Sequence, residues 1–226
     1  MTKKLSLHHL INPPAAGGDT PAPLLVLLHG VGSNERDLFS LAPKLDPRFL
    51  TASVRAPMTL GRDSFGWYQV QFTPKGPVID AEQTESARVE LVRFLDELVE
   101  AYRVDPTRVY LMGFSQGCAM SLSASLTAPQ KVAGVVGMSG RLLPGVTEKM
   151  PPSETLRGLP FLIVHGTEDT VLPIAYGHEI RDALQKLPVD LTYQEYRMGH
   201  HVSPESLQTV KNWLKSHLDA PSPRTR

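Results

Sequence analysis

The sequence contains almost no cysteine and no excess of charge of either sign. Its one cysteine, Cys118, cannot form a disulfide within the chain, so nothing points to an oxidising compartment. Lysine plus arginine and aspartate plus glutamate each number 23, which makes the formal net charge zero. A neutral chain has no overall electrostatic attraction to nucleic acid or to an anionic membrane, so we expect neither as a partner.

Long apolar segments are absent as well. No apolar run approaches the length that spans a bilayer, and the N-terminal residues lack the apolar core and the small-residue cleavage site of a secretory signal. No group of cysteines and histidines has the spacing of a zinc site. We therefore expect a cytoplasmic protein without an integral membrane segment, a metal or another cofactor.

The stretch from Val109 to Cys118 carries the most specific motif. An apolar, β-branched run, typical of a buried strand, leads into Gly113-Phe114-Ser115-Gln116-Gly117 and then into small and apolar residues that predict a buried helix. A G-x-S-x-G sequence between a strand and a helix is the setting of a nucleophile elbow. Its strained turn exposes the serine hydroxyl, and the two glycines leave room for the close approach of strand and helix. An ordinary turn that contains a serine is the alternative.

Predicted strands and helices alternate along the 226 residues, which suffice for one domain with a large core. Strands are predicted at 3–11, 24–28, 49–55, 132–138, 161–164 and 191–196, in addition to the strand that begins at Val109. Helices are predicted at 35–45, 118–128 and 174–187, between Asp80 and Asp105, and after the capping residue Ser203. This alternation predicts an α/β fold with a mostly parallel central sheet and helices on both faces.

Three segments lack the regular spacing of apolar residues that predicts a helix or a strand. Residues 59–78 carry several aromatic side chains among glycines and prolines, which predicts a long loop of the kind that is often functional. Residues 141–159 are irregular and rich in proline, with no sign of a separate lid domain. The polar tail, 220–226, is expected to fray. We therefore predict a single domain over 1–226.

A serine nucleophile needs a base, and the base needs a group that fixes its tautomer. Ser115, Asp169 and His200 each follow a predicted strand, and the loops after parallel strands meet at one edge of a sheet. Their order along the chain is the serine, acid, histidine order of α/β-hydrolases. We predict that these three residues form a catalytic triad.

Neighbouring residues offer alternatives for two members of the triad. Glu168 is a rival acid, and His201 is a rival base. The glycine before His200 allows the loop to bring that histidine over the serine, so we favour His200. His29 and His165 each end an apolar strand and are interpreted as hydrogen-bonded structural residues.

Acyl transfer places negative charge on the carbonyl oxygen, which backbone N–H groups must stabilise. One donor is expected to be the N–H of Gln116, the residue after the nucleophile. The second is expected from the loop His29–Gly32, where we favour Val31 over Gly32. This glycine-rich loop lacks the Gly-Lys-Ser/Thr of a phosphate-binding loop and the third glycine of a dinucleotide fingerprint.

Two aromatic residues are assigned to the substrate pocket. Trp67 lies in the predicted loop over 59–78, where it either forms a wall of the pocket or packs within the loop, and Phe114 directly precedes the serine. Cys118 lies in the predicted buried helix, where a core position is more plausible than a second nucleophile.

Together these motifs resemble the phospholipase/carboxylesterase family of small α/β-hydrolases, which includes bacterial carboxylesterases and acyl-protein thioesterases. The matching segments are Leu28-His29-Gly30-Val31-Gly32, Arg55-Ala56-Pro57, Gly66-Trp67-Tyr68, Gly113-Phe114-Ser115-Gln116-Gly117, His165-Gly166-Thr167-Glu168-Asp169 with Val171-Leu172-Pro173, and Met198-Gly199-His200. The resemblance implies an α/β-hydrolase fold, the triad named above, Val31 and Gln116 as oxyanion donors, Trp67 near the substrate, and hydrolysis of esters or thioesters without a metal.

The chain departs from thioesterase members after the glycine-rich loop, where Ser33-Asn34-Glu35-Arg36-Asp37 replaces their usual glycine and acidic residue. This departure favours small esters over acylated proteins. We therefore predict a serine carboxylesterase that hydrolyses short-to-medium acyl esters through an acyl-enzyme. A thioesterase or lysophospholipase of the same fold is the alternative, and a non-catalytic binding module is the alternative of another class. The oligomeric state is open, and a homodimer is one arrangement that the sequence allows.

Overall fold

The computed structural model describes residues 5–15, 20–73 and 76–220. The strands are β1 (His9–Asn12), β2 (Leu24–Leu28), β3 (Leu50–Val54), β4 (Met58–Gly61), β5 (Ser64–Gly66), β6 (Val70–Thr73), β7 (Gly76–Ile79), β8 (Val109–Phe114), β9 (Gly134–Met138), β10 (Pro160–Gly166) and β11 (Asp190–Tyr196). The helices are α1 (Arg36–Phe39), α2 (Ala81–Tyr102), α3 (Gln116–Thr127), α4 (Ile174–Leu184) and α5 (Pro204–Asp219). Seven of these strands form a central sheet in the order β1-β3-β2-β8-β9-β10-β11, in which only the edge pair of β1 and β3 is antiparallel.

Helices cover both faces of this sheet, which explains why its central strands are apolar throughout. All five residues of β2 are buried. Leu24 and Val26 belong to a core that includes residues of α2, α3 and α4, whereas Leu25 and Leu27 belong to one that includes residues of α1 and α5. The predicted α/β fold is confirmed. Within the described part of the chain, no helix combines the length and the apolar character needed to cross a membrane.

The prediction of a long loop over 59–78 is wrong. This segment forms two small antiparallel hairpins, β4 with β5 and β6 with β7, outside the central sheet. Two-stranded hairpins of such short strands bury little surface, so they show no strong alternation of apolar and polar residues. One further backbone bridge joins Phe65 of β5 to Ser33. Residues 74 and 75, which follow β6 in the sequence, lie outside the described part.

Two predicted elements are shorter than expected. The helix predicted at 35–45 is the single turn α1 followed by a 3₁₀ turn at Ala42–Lys44, because Pro43 has no N–H group for a continuing helix. The first strand, predicted at 3–11, is His9–Asn12, which pairs with Thr51–Val54 of β3. Residues 1–4, which include the first two of the predicted strand, and residues 221–226 of the predicted tail lie outside the described part.

Helix α2 begins as predicted at Asp80, whose side chain accepts hydrogen bonds from the N–H groups of Glu82 and Gln83. The Gln83 side chain does not complete a capping box. Its Oε1 instead accepts a hydrogen bond of 2.9 Å from the Gln69 N–H, which connects α2 to the hairpin segment. Residues 141–159 contain two short 3₁₀ turns, Thr147–Lys149 and Ser153–Leu156, and no lid domain.

Candidate active site

The turn between β8 and α3 has the geometry of a nucleophile elbow. Ser115 adopts φ 55° and ψ −115°, a strained conformation for a residue with a side chain. A Cβ on Gly113 would lie 2.2 Å from the carbonyl oxygen of Gly117, and a Cβ on Gly117 would lie 1.9 Å from that of Leu28. Both glycines are therefore required by backbone packing, as the sequence predicts.

The serine, the histidine and the aspartate meet at the carboxyl end of the sheet. The Nε2 atom of His200 lies 3.0 Å from Ser115 Oγ, and its Nδ1 atom lies 2.7 Å from Asp169 Oδ2. The other oxygen of Asp169 accepts hydrogen bonds from the N–H groups of Val171 (2.9 Å) and Leu172 (2.8 Å), so the carboxylate is held on both sides. With a proton on Nδ1, His200 presents a free Nε2 that can accept the serine proton.

The rival residues lie elsewhere. His201 is exposed, and its N–H group donates to the Gly199 carbonyl. Glu168 forms an exposed ion pair with Arg197 at 2.7 Å. Neither side chain has a hydrogen bond to Ser115 or to His200 among the described contacts, so the geometry favours the predicted triad over both alternatives.

Two buried histidines support the loops around the site. The Nε2 atom of His165 lies 2.8 Å from the Leu172 carbonyl oxygen and 3.8 Å from Asp169. His29 Nδ1 lies 2.7 Å from the Gly30 carbonyl oxygen, while its Nε2 accepts the N–H of Ala56 at 3.0 Å. Burial lowers the pKa of both rings, so both are neutral near pH 7. They have the structural role predicted for them.

Two backbone N–H groups, those of Val31 and Gln116, are the candidates for oxyanion donors. The N–H of Gln116 is at the first position of α3, where no intrahelical acceptor is available. The N–H of Gly32 already donates to the Phe65 carbonyl at 2.8 Å, which favours Val31 as the second donor. Both Val31 and Gln116 line the cavity that contains Ser115.

A buried ion pair follows the oxyanion loop. Glu35 is 1% exposed and forms two hydrogen bonds with Arg55, of 2.6 and 2.7 Å. Its carbonyl oxygen also accepts the Ser53 hydroxyl at 2.6 Å. The hydrogen bonds from Arg55 lower the pKa of Glu35 from an ordinary 4.5 to about 2. These contacts attach the loop to β3.

The side chain of Gln116 has a function that the sequence does not predict. Its Oε1 accepts the N–H of Trp67 and its Nε2 donates to the carbonyl of Tyr68, both at 2.7 Å. One amide group thus attaches the first hairpin segment to the elbow.

The expectation that Trp67 contacts the substrate is not supported by its position. Trp67 is 1% exposed and donates from Nε1 to the His29 carbonyl at 3.2 Å, so it packs behind the cavity wall and does not line it. Its neighbour Tyr68 lines the cavity instead. Phe114 does line the cavity, as predicted, and its ring centroid lies 4.8 Å from that of His200.

The cavity beside Ser115 has a volume of about 500 Å³ and a mostly apolar surface. Its apolar lining comprises Val31, Val70, Ile79, Phe114, Val171 and Leu172. Besides His200, its ionisable lining residues are Asp37, Tyr68 and Arg141. Sequence reasoning missed Arg141, because a lone arginine in an irregular segment carries no motif.

Cys118 is fully buried, and burial raises the pKa of its thiol to about 12. Only the thiolate form of cysteine is a good nucleophile, and Cys118 is protonated at neutral pH and has no access to solvent. This supports its assignment to the core. Among the described residues, no three His, Cys, Asp or Glu side chains are grouped so that they could hold a metal ion.

A parallel sheet, an elbow serine and a histidine–aspartate pair at the carboxyl end of the strands define an α/β-hydrolase. The sequence model of the phospholipase/carboxylesterase family matches residues 14–218, and the chain belongs to that family.

Relatives and solved structures agree with this membership. Acyl-protein thioesterase 1 of Gibberella zeae is 31% identical over 172 residues, which cover 71% of this chain and 72% of the relative. A probable carboxylesterase of Oryza sativa is 28% identical over 224 residues, which cover 92% of this chain and 82% of the relative. The crystal structure of the Bacillus cereus carboxylesterase has the same fold, with a TM-score of 0.79, 24% identity and coverage of 94% and 95% of the two chains.

Proposed function

We propose that this protein is a serine carboxylesterase that hydrolyses short-to-medium acyl esters through an acyl-enzyme. The observation that carries the proposal is the continuous hydrogen-bonded series from Asp169 through His200 to Ser115 at the cavity. His200 Nε2 takes the proton of the Ser115 hydroxyl while Oγ attacks the ester carbonyl carbon. The resulting imidazolium is stabilised by Asp169 and gives its proton to the leaving alkoxide oxygen.

A water molecule completes the cycle. His200 removes its proton as the water oxygen attacks the acyl carbon, and the carboxylic acid leaves as the proton returns to Ser115 Oγ. In both steps the carbonyl oxygen becomes an oxyanion, for which the N–H groups of Val31 and Gln116 are the proposed donors. Loss of one such donor typically costs about 3 kcal/mol of transition-state stabilisation.

The size and the lining of the cavity support the range of substrates. A volume of about 500 Å³ with an apolar surface suits acyl groups of short to medium length. Thioester hydrolysis at the same site is the second candidate, because several relatives are named acyl-protein thioesterases. Both reactions use the same serine and histidine, and they differ in the leaving group.

The test is hydrolysis of p-nitrophenyl esters with acyl chains from acetate to dodecanoate by wild type and Ser115→Ala. We expect wild-type turnover with an optimum at short to medium length and a loss of about 10⁴-fold or more in the variant. Ser125→Ala, the same substitution within the helix that follows the nucleophile, is the control, because the Ser125 hydroxyl donates to the Leu122 carbonyl of that helix. Turnover of thioesters alone would favour the second candidate. A folded wild type without turnover and without labelling by a fluorophosphonate would favour a binding module.

Two further properties are proposals that rest on the sequence. A cytoplasmic location is consistent with one buried cysteine and no disulfide within the chain. The oligomeric state is open, with a homodimer as one arrangement that the sequence allows, and light scattering of the purified protein decides it.

A further inference from the structure

Arg141 lies next to the nucleophile on a loop that the elbow holds in place. The loop follows β9, whose last residue, Met138, accepts the Ser115 N–H at 2.9 Å. A Cβ on Gly140 would lie 3.2 Å from the Ser115 carbonyl oxygen, so the chain passes directly beside the serine before it reaches Arg141. The Arg141 side chain lines the same cavity as Ser115 and His200.

The charge of this guanidinium is not balanced by a carboxylate. Among the described residues, no acidic side chain lies within 4.0 Å of it, and its buried Nη1 atom has no hydrogen-bond partner. Its Nε donates only a long hydrogen bond of 3.5 Å to the Leu142 carbonyl. A buried charged donor without a partner is costly, so this arrangement is better explained by a ligand than by a structural role.

The immediate surroundings position the guanidinium without neutralising it. Its central carbon lies 4.9 Å from the centroid of the Tyr176 ring, and contact with a ring face leaves the N–H groups at the edge of the guanidinium plane available. Arg181 provides the contrast. It lies 5.4 Å over the Tyr193 ring but also forms a 2.8 Å ion pair with Asp182, and it is outside the cavity lining.

We propose that Arg141 binds a free carboxylate of the substrate, so that the preferred esters carry a second, unesterified carboxyl group. This inference rests on the proposed function and names its substrate class. The planar guanidinium matches a carboxylate through paired hydrogen bonds, while the apolar lining contacts the connecting carbon chain. Asp37 is the acidic residue of the lining, and it accepts the Ser33 hydroxyl at 2.9 Å. Its negative charge would repel a carboxylate, so the substrate carboxylate is expected beside Arg141 and away from Asp37.

The experiment has two arms, because the carboxylate can belong to either half of the ester. In the acyl arm, mono-p-nitrophenyl adipate is compared with its neutral methyl ester. In the alcohol arm, 4-acetoxybenzoate is compared with methyl 4-acetoxybenzoate. The measured quantity is the ratio of kcat/KM for the carboxylate substrate to that for its neutral partner, after subtraction of the uncatalysed rate.

We expect the ratio to exceed one in at least one arm and to fall by about 10–100-fold in Arg141→Gln, the effect of losing charge-assisted hydrogen bonds. Arg141→Lys keeps the charge but not the fork, so it should retain part of the preference. Arg181→Gln, which also removes an arginine from a tyrosine ring, should leave the ratio unchanged. A ratio of one or less in both arms, or one that Arg141→Gln does not lower, would overturn the inference.

A binding measurement separates this inference from the proposed function. Monomethyl adipate is titrated calorimetrically into Ser115→Ala with and without Arg141→Gln, so that no turnover is needed. Binding that weakens by tenfold or more in the double variant supports the carboxylate site even if wild type hydrolyses no ester. Equal binding by both proteins, alongside normal ester turnover by wild type, rejects the carboxylate site and leaves the esterase proposal intact.

Discussion

The cavity has two walls that are held in place by different physical means. The strand-end wall, residues 29–34 and 113–117, is fixed by backbone atoms in such close contact that a methyl group on Gly117 would overlap Leu28. The hairpin wall, residues 58–73 and 76–79, is attached by hydrogen bonds: those of the Gln116 and Gln83 side-chain amides, and a backbone pair between Phe65 and the loop residues Gly32 and Ser33. The strand-end wall, which sets the geometry of the reaction, therefore tolerates almost no substitution. The hairpin wall depends on a few hydrogen bonds, so the shape of the pocket can change while the catalytic geometry stays the same.

The largest effect is expected for His200, which contacts Ser115 of the strand-end wall from the loop after β11. Replacement of His200 by Gln removes the proposed base and should lower kcat/KM on p-nitrophenyl butyrate by about 10⁴-fold or more. The adjacent His201→Gln is the control and should stay close to wild type, because His201 is exposed. Equal losses in both variants would contradict the assignment of His200.

The second effect tests the packing of the strand-end wall directly. Gly117→Ala places a Cβ 1.9 Å from the Leu28 carbonyl oxygen, so either the strand or the helix must move. We expect the free energy of unfolding in urea to fall by more than about 3 kcal/mol. Gly61→Ala in the hairpin wall meets its nearest neighbour at an ordinary 3.8 Å and should change stability by less than about 1 kcal/mol. If Gly117→Ala lowered the free energy of unfolding no more than Gly61→Ala does, the distinction between the walls would be wrong.

The third effect concerns the buried ion pair between Arg55 and Glu35, the residue directly after the strand-end wall in the sequence. The folded-state pKa of Glu35, about 2, lies below its ordinary 4.5, so its stabilisation is present above pH 4.5 and is lost as the pH falls toward 2. A shift of this size corresponds to about 3 kcal/mol at pH 7, which Glu35→Gln should remove. The difference in unfolding free energy between wild type and this variant should shrink steadily below pH 4.5.

Glu85 provides the control for that measurement. Hydrogen bonds from Arg88 lower its pKa to about 2 as well, but its side chain is 35% exposed. Because solvent screens exposed pairs, Glu85→Gln should cost less than about 1 kcal/mol. A loss as large as that of Glu35→Gln would show that burial is not the deciding factor.

The smallest effect is expected for the Gln116 amide, one of the attachments of the hairpin wall. Gln116→Met keeps the size of the side chain but leaves the Trp67 N–H and the Tyr68 carbonyl without their partner, at a cost of about 2 kcal/mol. Since the wall moves and the triad does not, the acyl-length preference should broaden and KM should rise more than kcat falls. Loss of kcat at every chain length would instead place the Gln116 side chain in the reaction itself.

The two walls also differ in how far the sequence predicts them. Gly113, Ser115 and Gly117 form a pattern whose spacing follows from one backbone geometry, so the elbow and the position of its partners after neighbouring strands could be anticipated. The hairpins could not, because their short strands bury little and their attachments join residues far apart in the sequence, such as Gln116 with Tyr68, 48 positions away. For Trp67 the sequence leaves two positions open, because an aromatic side chain packs as well behind a wall as on its surface, and the structure has it behind the wall. Arg141 had no pattern at all, and only the fold brings it beside Ser115.

The single thiol of the chain lies immediately behind the elbow. The Cys118 sulfur packs against Gly137 and Gly140, has no contact with solvent, and is protonated at neutral pH while the surrounding structure is closed. A chromogenic disulfide reagent can therefore modify Cys118 only when α3 separates from the sheet. The rate at which the coloured product forms then reports the frequency of those openings. The reaction of this one thiol thus measures how often the helix behind the nucleophile opens, without isotope exchange.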